Sequence, residues 1–333
     1  MSGAQMLPTP TPGVFGTLHR SDITFSDSDL LGEGFYGQVY KGKFKGQTVA
    51  VKEVVVKETR NKDDLLITFS RECDLVQLEP HDNLLNLLGA FTHAGDHLYL
   101  VSEFMEGGSL TRYFGKDILS EAIKVRCALH VARGLCHLHS KDIIHRDVKC
   151  ENILVQRPIQ AETGPEDILA KLADFGFCRI VEPRGAAMTI RGTWQFMAPE
   201  MLMHEKYTLS SDVFSFGITL AELVLEAEPD PDSNFKRNSE FYPQEAAVEG
   251  LACSKGLRSL IRSCVCLPPE ERPLMHDVVR ILAALDGDRV SSTDKVSEKT
   301  ALIEGGGGEG GAGLDWGLPA SRMTLRRMKT TQF

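Results

Sequence analysis

The chain has 333 residues, of which 42% are hydrophobic and 25% are charged, as expected for a globular protein with a sizeable core. Its net charge of −9 argues against a general nucleic-acid binder, which would carry a basic surplus. No apolar run reaches the ~18 residues that a membrane-spanning helix needs, and residues 1–20 lack the apolar core of a secretory signal. We therefore expect no nucleic-acid partner, no membrane span, and a cytoplasmic location with reduced cysteines.

The first predicted folded elements are strands that begin at Ile23. Residues 1–22, which open with a Pro/Thr/Gly-rich stretch, are expected to be disordered. After a turn at Lys45-Gly46, the sequence Thr48-Val49-Ala50-Val51-Lys52 alternates as a strand should. The region up to Lys52 is therefore predicted to be β-structure.

Three glycines, Gly32, Gly34 and Gly37, fall on a hairpin between two of these strands. A GxGxxG pattern alone is weak evidence, because a flexible hairpin or a dinucleotide-binding fold can carry it. The dinucleotide fold needs a helix directly after the third glycine, whereas Val39-Tyr40 and a further strand follow here. The pattern favours a glycine-rich flap over nucleotide phosphates, where a Cβ would keep backbone amides away from phosphate oxygens.

A helix is predicted over residues 63–78 from apolar residues at helical spacing. Glu72 lies on this helix, 20 residues beyond Lys52 (72 − 52). A helical glutamate by itself is more often a solvated residue. The flap and the strand lysine upstream instead favour a salt bridge from Glu72 that orients Lys52 toward phosphate.

Two further strands are predicted over residues 84–91 and 97–104, followed by a linker between two lobes. An apolar stretch that ends in extended backbone suits a flat adenine ring. A long helix with apolar residues at core spacing is predicted over residues 120–140, and it leads to the next motif.

The densest group of polar residues is the sequence HRDVKCEN at 145–152, which lies between the apolar runs Ile143-Ile144 and Ile153-Leu154-Val155. A polar loop between buried anchors is costly to desolvate unless its groups meet a ligand or one another. We interpret Asp147 as the group that orients a hydroxyl for attack on a phosphate, and Asn152 as a group that helps to hold a metal.

The remaining segments supply a second metal ligand and a helical region. After a surface insertion over residues 156–167, an apolar strand leads to Asp174, placed as a metal ligand at a hinge should be. A buried helix is predicted from Ser210 to Leu220, and its Asp212 is interpreted as a structural tie to the backbone. Helices are also predicted over residues 257–266 and 275–285, before a disordered, glycine-rich and basic tail over residues 287–333.

Together these segments resemble the eukaryotic protein kinases, because the motifs of that family occur in its order. The matching residues are Gly32, Gly34, Gly37, Val39, Lys52, Glu72, the HRDVKCEN loop, Asp174-Phe175-Gly176, Ala198-Pro199-Glu200, Asp212 and Arg272. The resemblance implies an α+β, bilobal protein kinase fold over residues 23–286. Within it we expect a small antiparallel sheet lobe with one helix over residues 23–102, a hinge over 103–106, and a larger helical lobe over 107–286.

The resemblance also implies that ATP and Mg²⁺ bind in the cleft and that the substrate is a protein. Asp147 would accept or orient the substrate hydroxyl, Lys149 would neutralise charge on the γ-phosphate, and Asn152 and Asp174 would hold Mg²⁺. These assignments fit a reaction that depends on positioning and charge neutralisation. The implied ATP-binding residues are Leu31, Gly32, Glu33, Gly34, Phe35, Tyr36, Gly37, Gln38, Val39, Ala50, Lys52, Glu72, Ser102, Glu103, Met105, Leu154 and Asp174.

Several motif details indicate the class of hydroxyl that is phosphorylated. Lys149 and Gly192-Thr193 follow the serine/threonine-kinase pattern, and residues 43–48 and 196–200 resemble the tyrosine-kinase-like group of serine/threonine kinases. In the family a bulky residue after the DFG motif accompanies serine preference, so Phe177 predicts serine. A tyrosine or dual-specificity kinase remains an alternative, as does a pseudokinase scaffold, although the strand lysine, loop aspartate and DFG aspartate are all present.

The residue next to Asp147 suggests how the chain is regulated. Arg146 is typical of kinases that are switched by phosphorylation of the activation segment, because a bound phosphate can pair with the guanidinium. Thr189 is the candidate phosphorylation site for an upstream activating kinase. Thr193 is interpreted as structural, bonding near Asp147 and Lys149.

Three further expectations follow from the resemblance. Ser102 occupies the position that controls access behind adenine, and its small size should leave a back pocket open to bulky inhibitors. His145 is interpreted as packing against Phe175 rather than acting in acid–base chemistry. Glu200 and Arg272 are expected to form a buried ion pair that fixes the substrate-binding segment.

Overall fold

The computed structural model describes residues 18–34, 37–55, 79–93, 97–175, 178–180, 193–203, 208–227 and 245–287. Within these ranges the long strands all lie before residue 104 and the helices of two or more turns all lie after residue 120. This division into a sheet lobe and a helical lobe confirms the predicted α+β bilobal fold. The predicted helix over residues 63–78 and the predicted tail beyond Gly287 lie outside the described residues.

A six-stranded antiparallel sheet forms the smaller lobe. Its strands are β1 (Ile23–Thr24), β2 (Leu30–Gly34), β3 (Gly37–Phe44), β4 (Gln47–Val55), β5 (Leu87–His93) and β6 (His97–Glu103). The strand order is β1-β3-β4-β6-β5, and β2 also pairs with β3. Side chains alternate along β4, so Val49 and Val51 are buried on one face of the sheet and Lys52 lies on the other.

The hairpin between β3 and β4 turns at Lys45-Gly46, as predicted. Both residues have positive φ, 47° for Lys45 and 80° for Gly46. A two-residue turn of this hand matches the twist of the flanking strands, and glycine adopts it without steric cost. The register that follows places Val39 opposite Lys52, so these two residues are neighbours across the sheet.

The sheet face opposite Lys52 carries a small core that includes the start of the described chain. Leu18 is only 8% exposed and packs there with Ile23 and Val51. The segment is held because Ile23 pairs with Phe44 of β3 and accepts a hydrogen bond of 2.6 Å at its carbonyl from Arg20 Nη1. Packed structure therefore begins ahead of the domain boundary predicted at residue 23. Composition alone did not reveal the burial of Leu18, which anchors this end.

Six helices of the described residues belong to the larger lobe. They are α1 (Glu121–His139), α2 (Pro199–Leu202), α3 (Leu209–Leu225), α4 (Glu245–Glu249), α5 (Lys255–Cys264) and α6 (Met275–Asp286). Helix α1 begins where the side chain of Ser120 accepts a hydrogen bond of 3.3 Å from the Ile123 backbone N–H. The helices predicted over residues 120–140, 257–266 and 275–285 are thus confirmed, with shifts of one or two residues at their ends. None of the helices in the described part of the chain has the length and apolarity to cross a membrane.

Helix α3 extends beyond the predicted range at both ends. The prediction placed it from Ser210 to Leu220, whereas it runs from Leu209 to Leu225 with Thr208 as its cap. Thr208 and Ser211 form a reciprocal pair in which the Thr208 backbone N–H donates to Ser211 Oγ at 3.3 Å. All residues from Ser211 to Leu223 are buried, so the polar ones among them need partners inside the protein.

Short strands hold the loops of the larger lobe in place. They are β7 (Gly108–Ser109), β8 (Ile143–Ile144), β9 (Ile153–Val155), β10 (Ala170–Leu172) and β11 (Arg179–Ile180). Strand β9 lies between β7 and β10, and β8 pairs with β11. The predicted insertion over residues 156–167 lies at the surface apart from Ile159, which is buried and donates its backbone N–H to Tyr113 Oη at 3.3 Å.

Candidate active site

The polar loop of residues 145–152 lies between two buried strands, as the flanking apolar runs predicted. Ile144 of β8 and Ile153 of β9 are both buried. Between these anchors His145, Asp147 and Asn152 are buried as well. Each of these polar side chains therefore needs partners, and the partners define the site.

Asp212 of α3 ties the start of this loop to the core. Its Oδ2 accepts a hydrogen bond of 2.8 Å from the His145 backbone N–H, and its Oδ1 accepts one of 2.9 Å from that of Arg146. Burial alone would raise the pKa of Asp212, but the hydrogen bond from His139 and the nearby His145 outweigh this effect and lower it. The side chain therefore stays charged, and the predicted structural tie to the backbone is confirmed.

Arg146 adopts a backbone conformation that few non-glycine residues occupy. Its φ is 74°, in the left-handed region. The bonds from His145 and Arg146 to Asp212 hold this conformation against its intrinsic cost. The predicted partner of Arg146, a phosphate on Thr189, lies outside the described residues.

Hydrogen bonds from two directions fix the carboxylate of Asp147. Oδ1 accepts bonds of 2.9 Å from both the backbone N–H and the hydroxyl of Thr193. Oδ2 accepts a bond of 2.9 Å from Asn152 Nδ2. The structural interpretation of Thr193 is confirmed by these contacts. These bonds leave the carboxylate in one orientation. The predicted role of Asp147, to orient a substrate hydroxyl, requires such a fixed carboxylate.

Asn152 is oriented through its amide nitrogen. Nδ2 donates to the carbonyl oxygen of Asp147 at 2.8 Å in addition to the Asp147 carboxylate. Because the amide group supplies two donors and both have acceptors, its remaining function is that of the Oδ1 acceptor. A carboxamide oxygen is a suitable ligand for a hard divalent cation.

Lys149 places a positive charge beside Asp147. Its Nζ lies 2.7 Å from Glu151 Oε2, 3.0 Å from Thr193 Oγ1 and 3.6 Å from Asp147 Oδ2. Burial alone would lower the pKa of Lys149, but the negative charges of Asp147 and Glu151 raise it. The ammonium group therefore remains charged at neutral pH.

Lys52 and Asp174 join the two lobes across the site. Lys52 Nζ donates to Asp174 Oδ1 at 3.1 Å, although the residues are 122 positions apart. Asp174 has a positive φ of 64°, a strained conformation for a residue with a Cβ. The strained turn brings a carboxylate toward the strand lysine, and oxygen ligands of this type suit a divalent cation.

His145 packs under the loop and is not placed for proton transfer. Its ring meets that of Phe175 edge to face, with centroids 5.8 Å apart, as predicted. Its Nε2 donates to the Ala173 carbonyl at 3.2 Å, and its Nδ1 accepts from the Asp147 backbone N–H at 3.3 Å. Burial lowers the pKa of His145, so the ring is a neutral structural link between Asp147 and the strand before Asp174.

The residues that were predicted to surround adenine lie on β4, on β6 and at the start of the larger lobe. Ala50 of β4 pairs with Ser102 of β6, and Ser102 and Met105 are buried. Leu31 is half-exposed at the edge of β2. Glu33 and Gln38 face each other across the β2–β3 hairpin, with a side-chain bond of 3.3 Å.

Lys171 is a partner of Glu103 that the sequence did not predict. Lys171 Nζ lies 2.7 Å from Glu103 Oε1, which also accepts a bond of 2.7 Å from the Asn86 backbone N–H. The lysine is buried and the strand around it is apolar. The sequence feature that could have predicted this pair is a single lysine inside an apolar strand, because a buried cation needs a partner.

Some predicted site residues lie outside the described residues. They are Phe35, Tyr36, Glu72, Phe177 and Thr189. The salt bridge between Lys52 and Glu72, the serine preference attached to Phe177 and the switch at Thr189 therefore remain predictions.

The segment after Thr193 is fixed by the predicted ion pair between Glu200 and Arg272. Arg272 donates from Nη1 to Glu200 Oε1 at 2.7 Å and from Nη2 to Glu200 Oε2 at 2.9 Å. Both side chains are buried. This bidentate geometry is the strong form of a carboxylate–guanidinium contact, and it confirms the pair.

Comparison with known proteins assigns the family. The family model described as the protein kinase domain matches residues 25–281. The chain belongs to the protein kinase family. This membership confirms the resemblance drawn from the ordered motifs.

Individual kinases resemble the chain over most of its length. It is 32% identical over 271 residues to the probable serine/threonine-protein kinase kinX of Dictyostelium discoideum, covering 78% of this chain and 24% of that protein. It is 31% identical over 309 residues to the serine/threonine-protein kinase STY46 of Arabidopsis thaliana, covering 90% and 48%. It is also 29% identical over 296 residues to the dual specificity protein kinase splA of Dictyostelium discoideum, covering 84% and 12%. The chain thus spans less than half the length of these relatives.

Proposed function

We propose that this chain transfers the γ-phosphate of ATP to serine or threonine hydroxyls of protein substrates. The observation that carries the proposal is the arrangement around Asp147. A buried carboxylate is held by Thr193 and Asn152, and a charged Lys149 lies 3.6 Å from it. Phosphoryl transfer needs this combination, a group that orients the attacking hydroxyl beside a positive charge.

In the proposed reaction the substrate hydroxyl binds at the Asp147 carboxylate, which orients it and takes its proton. The hydroxyl oxygen bonds to the γ-phosphorus as the bond to the β-phosphate oxygen breaks, so ADP leaves with those electrons. Lys149 offsets the negative charge on the transferring group. Lys52 binds the phosphates that remain with ADP.

The site residues also fit a divalent cation, for which we propose Mg²⁺. Asn152 Oδ1 and the Asp174 carboxylate are hard oxygen ligands, and Mg²⁺ is bound by few protein ligands together with phosphate oxygens. When bound, the cation would neutralise phosphate charge. The contacts of Asn152 with Asp147 hold its oxygen ready for this purpose.

Serine or threonine as the acceptor is supported by Lys149 in the loop and by the similarity to kinX and STY46, which are named as serine/threonine-protein kinases. The name of splA keeps tyrosine as a second class of acceptor to be tested. We also propose that phosphorylation of Thr189 by an upstream kinase raises activity through Arg146. This proposal is supported by the position of Arg146, whose buried side chain and strained backbone are fixed next to Asp147.

The test is a transfer assay with purified protein, labelled ATP, Mg²⁺ and a generic protein substrate, followed by phosphoamino-acid analysis. We expect phosphoserine with less phosphothreonine, and a loss of ~100-fold or more in Asp147→Asn, as is typical for removal of a general base. Predominant phosphotyrosine would overturn the acceptor class. Equal, background-level transfer by both proteins would indicate a pseudokinase scaffold.

The proposed activation site is tested with Thr189→Ala. Incubation with a cell lysate and ATP should raise the activity of wild type but not that of this variant.

A further inference from the structure

Helix α3 presents buried polar residues along one face. Asp212, Ser215, Thr219 and Glu222 are all buried and follow one another at intervals of three or four residues. This spacing places them in one stripe on the helix. At ~1.5 Å per residue, Glu222 lies about 15 Å along the helix axis from Asp212. Asp212 holds the start of the polar loop of residues 145–152.

The far end of this stripe contacts the second half of the same loop. Thr219 Oγ1 donates to the Val148 carbonyl at 3.0 Å, and Glu222 Oε2 accepts a bond of 2.8 Å from the Cys150 backbone N–H. Val148 and Cys150 are the neighbours of Lys149. Helix α3 therefore fixes the backbone on both sides of that lysine.

The bond between Glu222 and Cys150 is of the strong, charge-assisted kind. Glu222 is only 2% exposed and Cys150 is fully buried. Burial, together with the charge of Glu222, raises the pKa of the Cys150 thiol well above its usual value, so the side chain beside the carboxylate stays neutral. A buried carboxylate in an apolar helix is costly unless such donors satisfy it. Replacing the carboxylate would therefore release the loop at this point.

We propose that Glu222 is a positioning residue for phosphoryl transfer. Its hydrogen bond from the Cys150 N–H fixes the backbone between Lys149 and Asn152, which lie on either side of Cys150. This inference rests on the proposed function, since Lys149 and Asn152 act on substrates only if the chain transfers phosphate. The bond from the Cys150 N–H places Glu222 against the loop backbone. Its effect should therefore appear in kcat and depend on a hydrogen-bond donor at residue 150.

The two partners of this bond can be removed separately. Glu222→Leu removes the acceptor, and Glu222→Gln keeps an acceptor oxygen. Cys150 is the first residue of the turn over Cys150–Asn152, and Lys149 before it is extended, with φ −162° and ψ 160°. Proline is tolerated at such a first position after an extended residue, so the backbone admits Cys150→Pro. This change removes the N–H and also places the ring Cδ against Glu222 Oε2, which lies 2.8 Å from the nitrogen. Cys150→Ala keeps the N–H and removes only the thiol.

We expect kcat to fall about tenfold in Glu222→Leu, which corresponds to losing a typical hydrogen bond to a charged group, and at least as much in Cys150→Pro. The KM for ATP should stay within about twofold, because the phosphate-binding Lys52 is not disturbed. Glu222→Gln and Cys150→Ala should remain within about threefold of wild type. The double variant Glu222→Leu/Cys150→Pro should lose about tenfold and not a hundredfold, since both changes break the same bond.

All rates are compared at a temperature at which circular dichroism shows every variant folded. Val279→Ala on α6 serves as a control, because it deletes buried methyl groups remote from the loop and should leave kcat unchanged. Wild-type kcat in Glu222→Leu or in Cys150→Pro would overturn the inference, as would losses that multiply in the double variant. If Glu222→Leu does not fold, Glu222→Asp decides the question, because it withdraws the carboxylate from the Cys150 N–H by one methylene and should lower kcat relative to Glu222→Gln. Failure of the proposed function is distinguishable, because wild type would then not exceed Asp147→Asn.

Discussion

Replacing Arg272 by methionine should destabilise the larger lobe strongly. The guanidinium makes two bonds to Glu200 and donates to three backbone carbonyls, those of Ser210, Cys266 and Leu267, at 2.8–3.0 Å. In Arg272→Met the Glu200 carboxylate stays buried and keeps the bond of 2.9 Å from Ser211 Oγ. The three carbonyls lose their donor at the same time.

The magnitude follows from leaving a buried charge without its partner. Removing one member of a buried ion pair typically costs about 3–5 kcal/mol. With a urea m-value of about 3 kcal/mol/M for a domain of this size, the unfolding midpoint should fall by roughly 1–1.7 M. Urea titration followed by circular dichroism measures this shift. Converting Glu200 to leucine in the same protein should restore part of the loss, because no unpaired charge then remains.

The chain offers a matched control in an exposed pair. Arg262 Nη1 and Glu249 Oε1 are 2.9 Å apart, but their side chains are 53% and 47% exposed. Arg262→Met should therefore cost less than about 1 kcal/mol. Similar midpoint shifts for Arg272→Met and Arg262→Met would refute the argument that burial makes the difference.

Three further expectations concern acid stability, thiol reactivity and inhibitor access. Folding lowers the pKa of Asp212 from its usual value of 3.8, so the charged carboxylate stabilises the fold above pH 3.8. This stability is lost as the pH falls through the lower pKa of the folded state. The urea midpoint should therefore drop below about pH 4, and it should drop less steeply in Asp212→Asn. Iodoacetamide at pH 8 should modify the partly exposed Cys266 before the fully buried Cys150; mass spectrometry showing the reverse order would count against the described burial. Ser102→Phe should weaken a bulky back-pocket inhibitor by about tenfold or more through steric overlap, as measured by calorimetry, and unchanged affinity would exclude the pocket.

The parts of the fold that sequence predicted well depend on local patterns. The turn at Lys45-Gly46 follows from a glycine, which adopts positive φ without steric cost, and helix α1 follows from apolar spacing after Ser120. Asp212 was predictable as a structural tie because a lone acid in an apolar helix must find donors nearby. In each case a few adjacent residues carry enough information.

The parts that sequence missed depend on distant partners. Lys171 meets Glu103 across 68 residues, and Glu222 meets Cys150 across 72. Nothing local selects these partners, because the choice is made by how α3 and β10 pack against the rest of the lobe. The early packing of Leu18 was missed for a related reason. A composition rich in proline and glycine hides a single apolar side chain whose burial depends on strand pairing at Ile23.

The most direct test of the account measures what Asp147 contributes to transfer and to ATP binding. We compare kcat on a serine peptide, and the Kd for ATP with Mg²⁺, between wild type and Asp147→Asn. We predict a fall in kcat of ~100-fold or more with little change in ATP affinity, because in the proposed reaction Asp147 orients the hydroxyl whereas Lys52 and Asp174 hold ATP. Retained activity in Asp147→Asn, or a loss explained by weaker ATP binding, would contradict it.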